Sequence, residues 1–534
     1  MNTAMRGHGA SAFIGATGLL LVILTVAGCF GGPALELSGS VDGYVFKPVG
    51  RAGAQLKVMS QGPRTAPPPG YEPCVGAMVT VTGSTGVALT DAKGYFRKDR
   101  VSPGTQTVSI VYEPFRLDTK VLVRSGQVTT VNQATGSLLG KWTIMIYMCA
   151  DNNLESAAIA DMNELEEVGS TSDVNILVQI DRAKGYDTSN GDWTGTRRYY
   201  ITRDPSAPGL PEYDTIVSRK ELWDPSDPEI DMADPAELRD FVTWCMANYP
   251  AQHYVLVLWN HGDGWTIFRA PRMVPRAICI DEESGSALDV DQIRVALEGL
   301  PRLDIIGFDA CLMQMAEVAY EVRDVADIAV GSEEIEPEGG WDYSKALADL
   351  CANPYATSAW DLARAIVDSY LASYGPDSGF TQSAFRLEQS DDVAVAVKAL
   401  KDELIRHIER NTGGTDAARI RQALRSARLA SQQYWGLPHF DLEDFAAKLR
   451  ASIGDPASGV SDEAMAAICA KADDLLAALL GPWLYAGDPA SNAYGNGLSI
   501  YLPDRYSWAE VHGYDYLRFE RDTRWSDIFK YVDP

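Results

Sequence analysis

The sequence is poor in the features that mark nucleic-acid binders, disulfide scaffolds and metal-templated folds. Only 46 basic side chains stand against 73 acidic ones, a net charge of −27, and a field of that sign argues against phosphate backbones as partners. Eight cysteines are scattered over 534 residues with no CxxC pair, which removes zinc ribbons, thioredoxin-like centres and a disulfide framework. Six histidines occur without HExxH or paired-His spacing, so no metal-ligand set is expected and a metal-dependent hydrolase using His and Asp is disfavoured. The glycines of Gly262-Asp263-Gly264 lack phosphate-loop spacing. What remains is an ordinary globular composition, 46% hydrophobic and 22% charged, with length for two to four domains of about 150 residues each.

The amino terminus reads as an export signal. Residues 9–35 carry no charge, Arg6 precedes them, and Leu19 to Val26 is apolar apart from Thr25. The run ends in Val26-Ala27-Gly28-Cys29, which resembles a bacterial lipobox: such a signal is cut before the cysteine, and Cys29 carries the lipid. The apolar core fits a signal peptide better than a membrane span, with an uncleaved anchor as the alternative. Phe30 rather than Asp after Cys29 leans towards the outer membrane or cell surface in a Gram-negative cell. Residues 1–28 are therefore set aside as signal and 29–36 as linker.

From 37 to 135 the chain alternates short β-prone runs with Gly and Pro breaks, such as Ser40 to Val45, Ala77 to Thr82 and Thr107 to Tyr112. That rhythm predicts a small β-sandwich. Asp91 to Phe96, followed by Ser102-Pro103-Gly104-Thr105, resembles carboxypeptidase-regulatory-like domains; nothing in it looks catalytic, and it reads as a stalk or spacer. After Gly140 the pattern changes. Lys141 to Cys149, Val174 to Ile180, Tyr254 to Trp259 and Leu303 to Phe308 are continuous apolar runs, the mark of strands buried on both faces. Helical segments are expected at Leu154–Val168 (capped by Asn152 or Asn153), Pro235–Asn248, Asp289–Leu300 and Leu312–Val325, with a strand at Ala326–Val330. Residues 181–231 read as a polar insertion, and the region beyond Ser383 as mostly helical, with helices expected at 391–410, 417–429 and 462–480. The fold class is α/β: a mostly parallel sheet flanked by helices over 141–534.

Functional groups in such a sheet gather beyond the carboxyl ends of its strands. The strand ending at Trp259 runs into Asn260-His261-Gly262-Asp263, and the strand ending at Phe308 into Asp309-Ala310-Cys311-Leu312. If the strands are neighbours, an imidazole and a thiol emerge at one edge, the pair a cysteine peptidase needs for nucleophile and proton carrier. Cys311 would start the helix expected from Leu312, whose dipole would lower its pKa. The N–H groups of Gly262 and Cys311 are candidates for an oxyanion hole. A core cysteine and a turn histidine are the bland readings of the same residues. His439, with no strand end beneath it, reads as structural, and His253, which begins a strand, and His407, on a helix, compete poorly.

Trp142 to Glu155, Trp259 to Trp265 and Gly307 to Met313 resemble the corresponding motifs of clostripain-type cysteine peptidases, as do Gly331 to Glu334, Gly340 to Tyr343 and Gly497 to Pro503, in family order. The resemblance spans roughly Lys141 to the carboxyl terminus. It implies a caspase-like fold, shared with gingipains, legumains and separase, and a dyad at His261 and Cys311. It also implies cleavage after Arg or Lys, with Asp309 in the S1 pocket; Asp309 could equally cap the helix expected from Leu312. Glu333 and Glu334, with Glu336 nearby, are candidates for another pocket wall. Members are often self-cleaved between the His and Cys strands, which points to Arg272 or Arg276. No cofactor is required. Some members need calcium; Asp181, Asp187 and Asp192 could bind it, although no EF-hand spacing is present and a solvated acidic loop is the favoured reading. The expectation is an exported, lipid-anchored endopeptidase acting on protein or peptide substrates. The rival is a non-catalytic surface lipoprotein that binds peptides or glycans.

Overall fold

The computed structural model describes residues 38–48, 57–59, 71–112, 115–123, 128–131, 140–171, 173–204, 206, 215–220, 229–266, 278–376, 378–410, 414–487, 494–504 and 513–532. Cys29, Arg272, Arg276 and the signal segment lie outside these. The chain divides into two compact units, with the main boundary between residues 138 and 139.

The first unit holds strands β1 (Gly39–Pro48), β2 (Lys57–Met59), β3 (Tyr71–Pro73), β4 (Met78–Val81), β5 (Ala88–Leu89), β6 (Tyr95–Val101), β7 (Gly104–Tyr112), β8 (Phe115–Val123) and β9 (Val128–Thr130). β1 is the hub of one sheet, pairing with β2, β3, β6 and β9, and β5-β4-β7-β8 form a second, antiparallel sheet. Alternate residues point inward along β4, as period two requires. Val41, Val45, Val79, Val81, Phe96, Val108 and Ile110 from both sheets share one core.

The second unit is built on a nine-stranded sheet. Its strands are β10 (Gly140–Ala150), β11 (Val174–Arg182), β12 (Gly195–Tyr200), β13 (Arg219–Lys220), β14 (Ala251–Trp259), β17 (Leu303–Asp309), β18 (Ala326–Gly331), β19 (Ser383–Arg386) and β22 (Leu484–Tyr485), in the order β13-β12-β11-β10-β14-β17-β18-β19-β22. The five central strands run parallel, and the two at each edge are antiparallel to their inner neighbours. Strands β15 (Ile278–Asp281) and β16 (Ser286–Leu288) make a hairpin, and β20 (Gln433–Tyr434), β21 (His439–Asp441) and β23 (Ser499–Tyr501) a small separate sheet.

Double-sided burial explains why β10 reads as an unbroken apolar run. Trp142, Ile144, Ile146 and Met148 enter one core, with helices Glu155–Val168, Tyr343–Ala352 and Ala359–Tyr374. Met145, Tyr147 and Cys149 enter the other, with helices Pro235–Asn248, Val290–Leu297, Ser390–Arg410 and Leu442–Gly454. Helices Thr415–Ala430 and Asp462–Leu479 pack on that second side. No helix among the described residues is long and apolar enough to cross a membrane. The chain leaves β10 for β11 on one side and returns through Pro235–Asn248 to β14 on the other. A crevice therefore opens beyond the carboxyl ends of β10 and β14, where the direction of winding reverses.

Two expectations change. The polar insertion at 181–231 contains β12, whose inward Arg198 is buried and paired with Gln179 and Asp240; its charge hides it from a hydrophobic pattern. The helix expected over Leu312–Val325 is only Ala316–Val322. Leu312 has φ +64°, and the N–H groups of Leu312 and Gln314 donate to Glu334 and Ser332 instead of entering a helix.

Candidate active site

Strand register delivers the imidazole and the thiol to one place. β14 and β17 are parallel neighbours with Trp259 opposite Asp309, so His261 and Cys311 each lie two residues past a paired position. The backbones touch there: Asn260 N–H donates to the Asp309 carbonyl at 3.2 Å. Gly262 packs so closely that a Cβ would strike the Cys311 carbonyl oxygen and lie 3.0 Å from its nitrogen; only glycine fits. His261 and Cys311 line one cavity of about 280 Å³ with Asn153, Asp309, Glu336 and Gly340. That volume sits at the lower end for ligand pockets, suited to one side chain and its peptide.

His261 is held from the β10 side. Asn153 places its amide oxygen 2.9 Å from His261 Nε2; it does not cap the following helix, whose N-cap is Leu154 without a side-chain cap bond. Asn152 supplies the turn instead, accepting from Leu154 N–H at 2.9 Å. Burial lowers the His261 pKa, with Glu282 opposing weakly, so the ring is neutral at pH 7. The other described histidines serve structure. His253 pairs with Asp304 and His407 with Glu403, while buried His439 is pushed down to about 3 by desolvation.

Cys311 does not sit at a helix start. The helix begins at Ala316, so no dipole end reaches the sulfur, and burial pushes the thiol up to about 11, with Glu336 adding to the shift. Sγ accepts from Glu336 N–H at 3.2 Å. The segment after Cys311 is pinned by the Gly497–Pro503 motif, where Ser499 N–H donates to the Gln314 carbonyl at 3.0 Å.

Asp309 is not a helix cap: it ends β17 and points into the cavity wall. Its Oδ2 accepts from Tyr343 hydroxyl at 2.7 Å and from Trp341 N–H at 3.4 Å. Glu336, rather than Glu333 or Glu334, joins it; the two carboxyls are hydrogen-bonded, and Gln382 donates to Glu336 at 3.2 Å. Burial raises Asp309 to about 6, and burial together with the facing Asp309 raises Glu336 well above the carboxylate range. Among the described residues neither has an ion-pair partner, and burial favours a protonated carboxyl in the pair. Glu333 instead turns to Gly497 N–H at 2.9 Å and Glu334 to Trp435 N–H at 3.0 Å, because Thr381 Oγ1 takes both of their own N–H groups and folds the chain away from the cavity.

A second acidic cluster lies behind this edge. Asp151, Asp181, Glu229 and Asp281 bring one carboxylate oxygen each within 4.8 Å of one another. Burial, with mutual repulsion, raises Asp151 to about 6, Glu229 to about 7 and Asp181 well above its usual range. Asp181 accepts from Thr196 at 2.8 Å through one oxygen, while its other oxygen is buried without a partner. Of the carboxylates expected to bind calcium, only Asp181 belongs here. Asp187 pairs with Arg182 and Ser189, and Asp192 sits exposed in a turn at φ +50°. Four hard oxygen donors from separate segments suit a divalent cation such as calcium.

The raised thiol has a direct consequence. Iodoacetamide alkylation of Cys311, followed by site-resolved mass spectrometry, is expected to be slow at pH 7 and to rise about tenfold per pH unit towards the thiol pKa of about 11. A rate already level near neutrality would contradict it.

Residues 146–531 match the model of the clostripain family, peptidase family C11. The chain is 27% identical over 413 residues to clostripain from Hathewaya histolytica, covering 68% of this chain and 75% of that protein. It is also similar to the X-ray structure of a secreted C11 cysteine protease from Bacteroides thetaiotaomicron in complex with an irreversible peptide inhibitor (TM-score 0.49, 19% identity, 72% of this chain and 99% of the other). An inactive zymogen C11 protease from Parabacteroides distasonis has a TM-score of 0.49 at 18% identity, with the same coverage. With its family model matched over well more than half its length, the chain belongs to the clostripain family and is a cysteine peptidase.

Proposed function

We propose that this peptidase is an exported, lipid-anchored endopeptidase that cuts after Arg or Lys with His261 and Cys311 as its dyad. The observation that carries the reading is the meeting of His261, Cys311 and the Asp309–Glu336 carboxyl pair in one cavity. A guanidinium or ammonium entering between the two carboxyls would replace the proton held there by charge-assisted hydrogen bonds. The acidic surface, net −27, favours the approach of basic segments.

In the mechanism, the basic side chain anchors the substrate and sets its carbonyl over Sγ. The thiol is protonated at rest, so His261 removes the proton as sulfur bonds to the carbonyl carbon, then delivers it to the departing amine. The N–H groups of Gly262 and Cys311 would donate to the developing oxyanion. Water then hydrolyses the thioester, with His261 as base, and releases the acid. Self-cleavage after Arg272 or Arg276 and lipidation at Cys29 complete the proposal; the amino-terminal β-unit serves as spacer between anchor and peptidase.

Calcium has its proposed place among Asp151, Asp181, Glu229 and Asp281 rather than in the Asp187–Asp192 loop. A bound cation would neutralise carboxylates that burial otherwise drives towards protonation. Asp151 opens the turn that carries Asn152 and Asn153, and it accepts from Glu283 N–H beside Asp281.

Peptides with Arg or Lys before a fluorogenic leaving group are expected to be cleaved, and Cys311→Ala to abolish both that turnover and self-cleavage. Asp309→Asn or Glu336→Gln should lower kcat/KM for Arg peptides about 10- to 100-fold, the value of one charged hydrogen bond. Because Asp309 takes its proton at about 6, KM for Arg peptides should rise as pH falls below that point. Equal cleavage after neutral residues would contradict the pocket assignment. For the cation, millimolar calcium should raise Tm by about a few degrees. Asp181→Asn should abolish the shift, which should also fade below pH 6–7 as Asp151 and Glu229 take protons. A Tm indifferent to calcium would contradict the site.

A further inference from the structure

Two asparagines clamp the base of the cavity. The side-chain amides of Asn152, after β10, and Asn260, after β14, both donate to the Cys149 carbonyl and to the Ile280 carbonyl, and Asn260 Oδ1 accepts from Ile280 N–H at 3.0 Å. Three segments, the ends of β10 and β14 and the strand β15, are thereby tied at a buried point. Asn153 and His261 each follow a clamped asparagine by one residue, and their side chains meet at 2.9 Å. The cap position of the next helix leaves Asn153 uninvolved, since Leu154 holds it and Asn152 forms the turn.

From this arrangement we infer that Asn153 is the positioning residue for the catalytic imidazole: its amide oxygen accepts the Nε2 proton of His261 and so fixes both the ring plane and the tautomer in which Nδ1 is the basic nitrogen. In a neutral imidazole one nitrogen donates and the other accepts, and the hydrogen bond made by the first decides which is which. An amide does this without adding charge, so it orients the ring while leaving its basicity to burial. Glu282, on the β15–β16 turn, is the charged group that acts on His261; Cys311 and Glu336 line the same cavity from the β17 and β18 sides. The clamp fixes the two backbones that carry Asn153 and His261, because neither can shift without breaking bonds to Cys149 and Ile280. The inference rests on the dyad reading given above.

Kinetics and spectroscopy separate the two. With an Arg peptide, Asn153→Ala should lower kcat about tenfold, the value of one lost neutral hydrogen bond, while KM stays within about twofold. Asn153→Asp keeps an acceptor but adds charge, so it should recover part of kcat and move the acidic limb of kcat/KM upward by about one pH unit. Independently of turnover, nitrogen-15 histidine NMR of the full chain carrying Cys311→Ala should show His261 protonated on Nε2. Adding Asn153→Ala should erase that tautomer preference, and adding Asn153→Asp should raise the His261 titration midpoint. If the NMR responds as stated but the wild-type enzyme ignores basic peptides, the Arg/Lys specificity falls while the positioning of His261 by Asn153 stands. If His261 keeps its tautomer and midpoint in both variants, or Asn153→Ala retains wild-type kcat, the inference is overturned.

Discussion

The site depends on the parallel pairing of β14 with β17. With Trp259 set opposite Asp309, both chains leave the sheet at the same height, and the next two residues of each must share the space beyond one strand gap. The absence of a side chain at Gly262 lets the two exits touch. A one-residue slip would turn His261 to the other face and separate it from Cys311, since side chains alternate along a strand. The two hydrophobic cores hold that register from above and below, so the chemistry inherits its precision from Ile305, Ile306, Val257 and Leu258 rather than from the loops.

The molecule concentrates carboxyl groups where solvent is scarce. Asp309 and Glu336 face each other, Asp161 lies behind them with Trp259 Nε1–H at 2.6 Å, and Asp151, Asp181, Glu229 and Asp281 gather past the end of β10. Keeping such groups charged and unpaired is costly, which is why burial raises most of them. Under the proposed function each cluster would be relieved by a cation: a basic substrate side chain in the first case, a metal ion in the second. Recognition and stabilisation thus draw on the same stored electrostatic demand.

The central sheet was legible because β10, β11, β14 and β17 are buried on both faces and must be apolar throughout. Strand ends made His261 and Cys311 candidates, the resemblance to clostripain-type peptidases singled them out as a dyad, and the structure brings both into one cavity. The rest was hidden for physical reasons. Glu336 is indistinguishable from Glu333 and Glu334 until Thr381 captures two backbone N–H groups and turns the chain. Periodicity extended the helix back to Leu312, but tertiary hydrogen bonds to Glu334, Ser332 and Ser499 claimed that segment first. The helix dipole argument for Cys311 failed with it, and the thiol is raised instead of lowered. The four-carboxylate cluster has no local spacing, since its members come from four distant segments.

The most direct test is a crystal structure of the enzyme inactivated by a peptidyl-arginine chloromethyl ketone. A thioether from Cys311 Sγ to the inhibitor methylene, with the guanidinium between Asp309 and Glu336 and His261 within hydrogen-bond reach of the adduct, is the predicted outcome. Attachment at another residue, or a guanidinium left in solvent away from both carboxyls, would contradict the account.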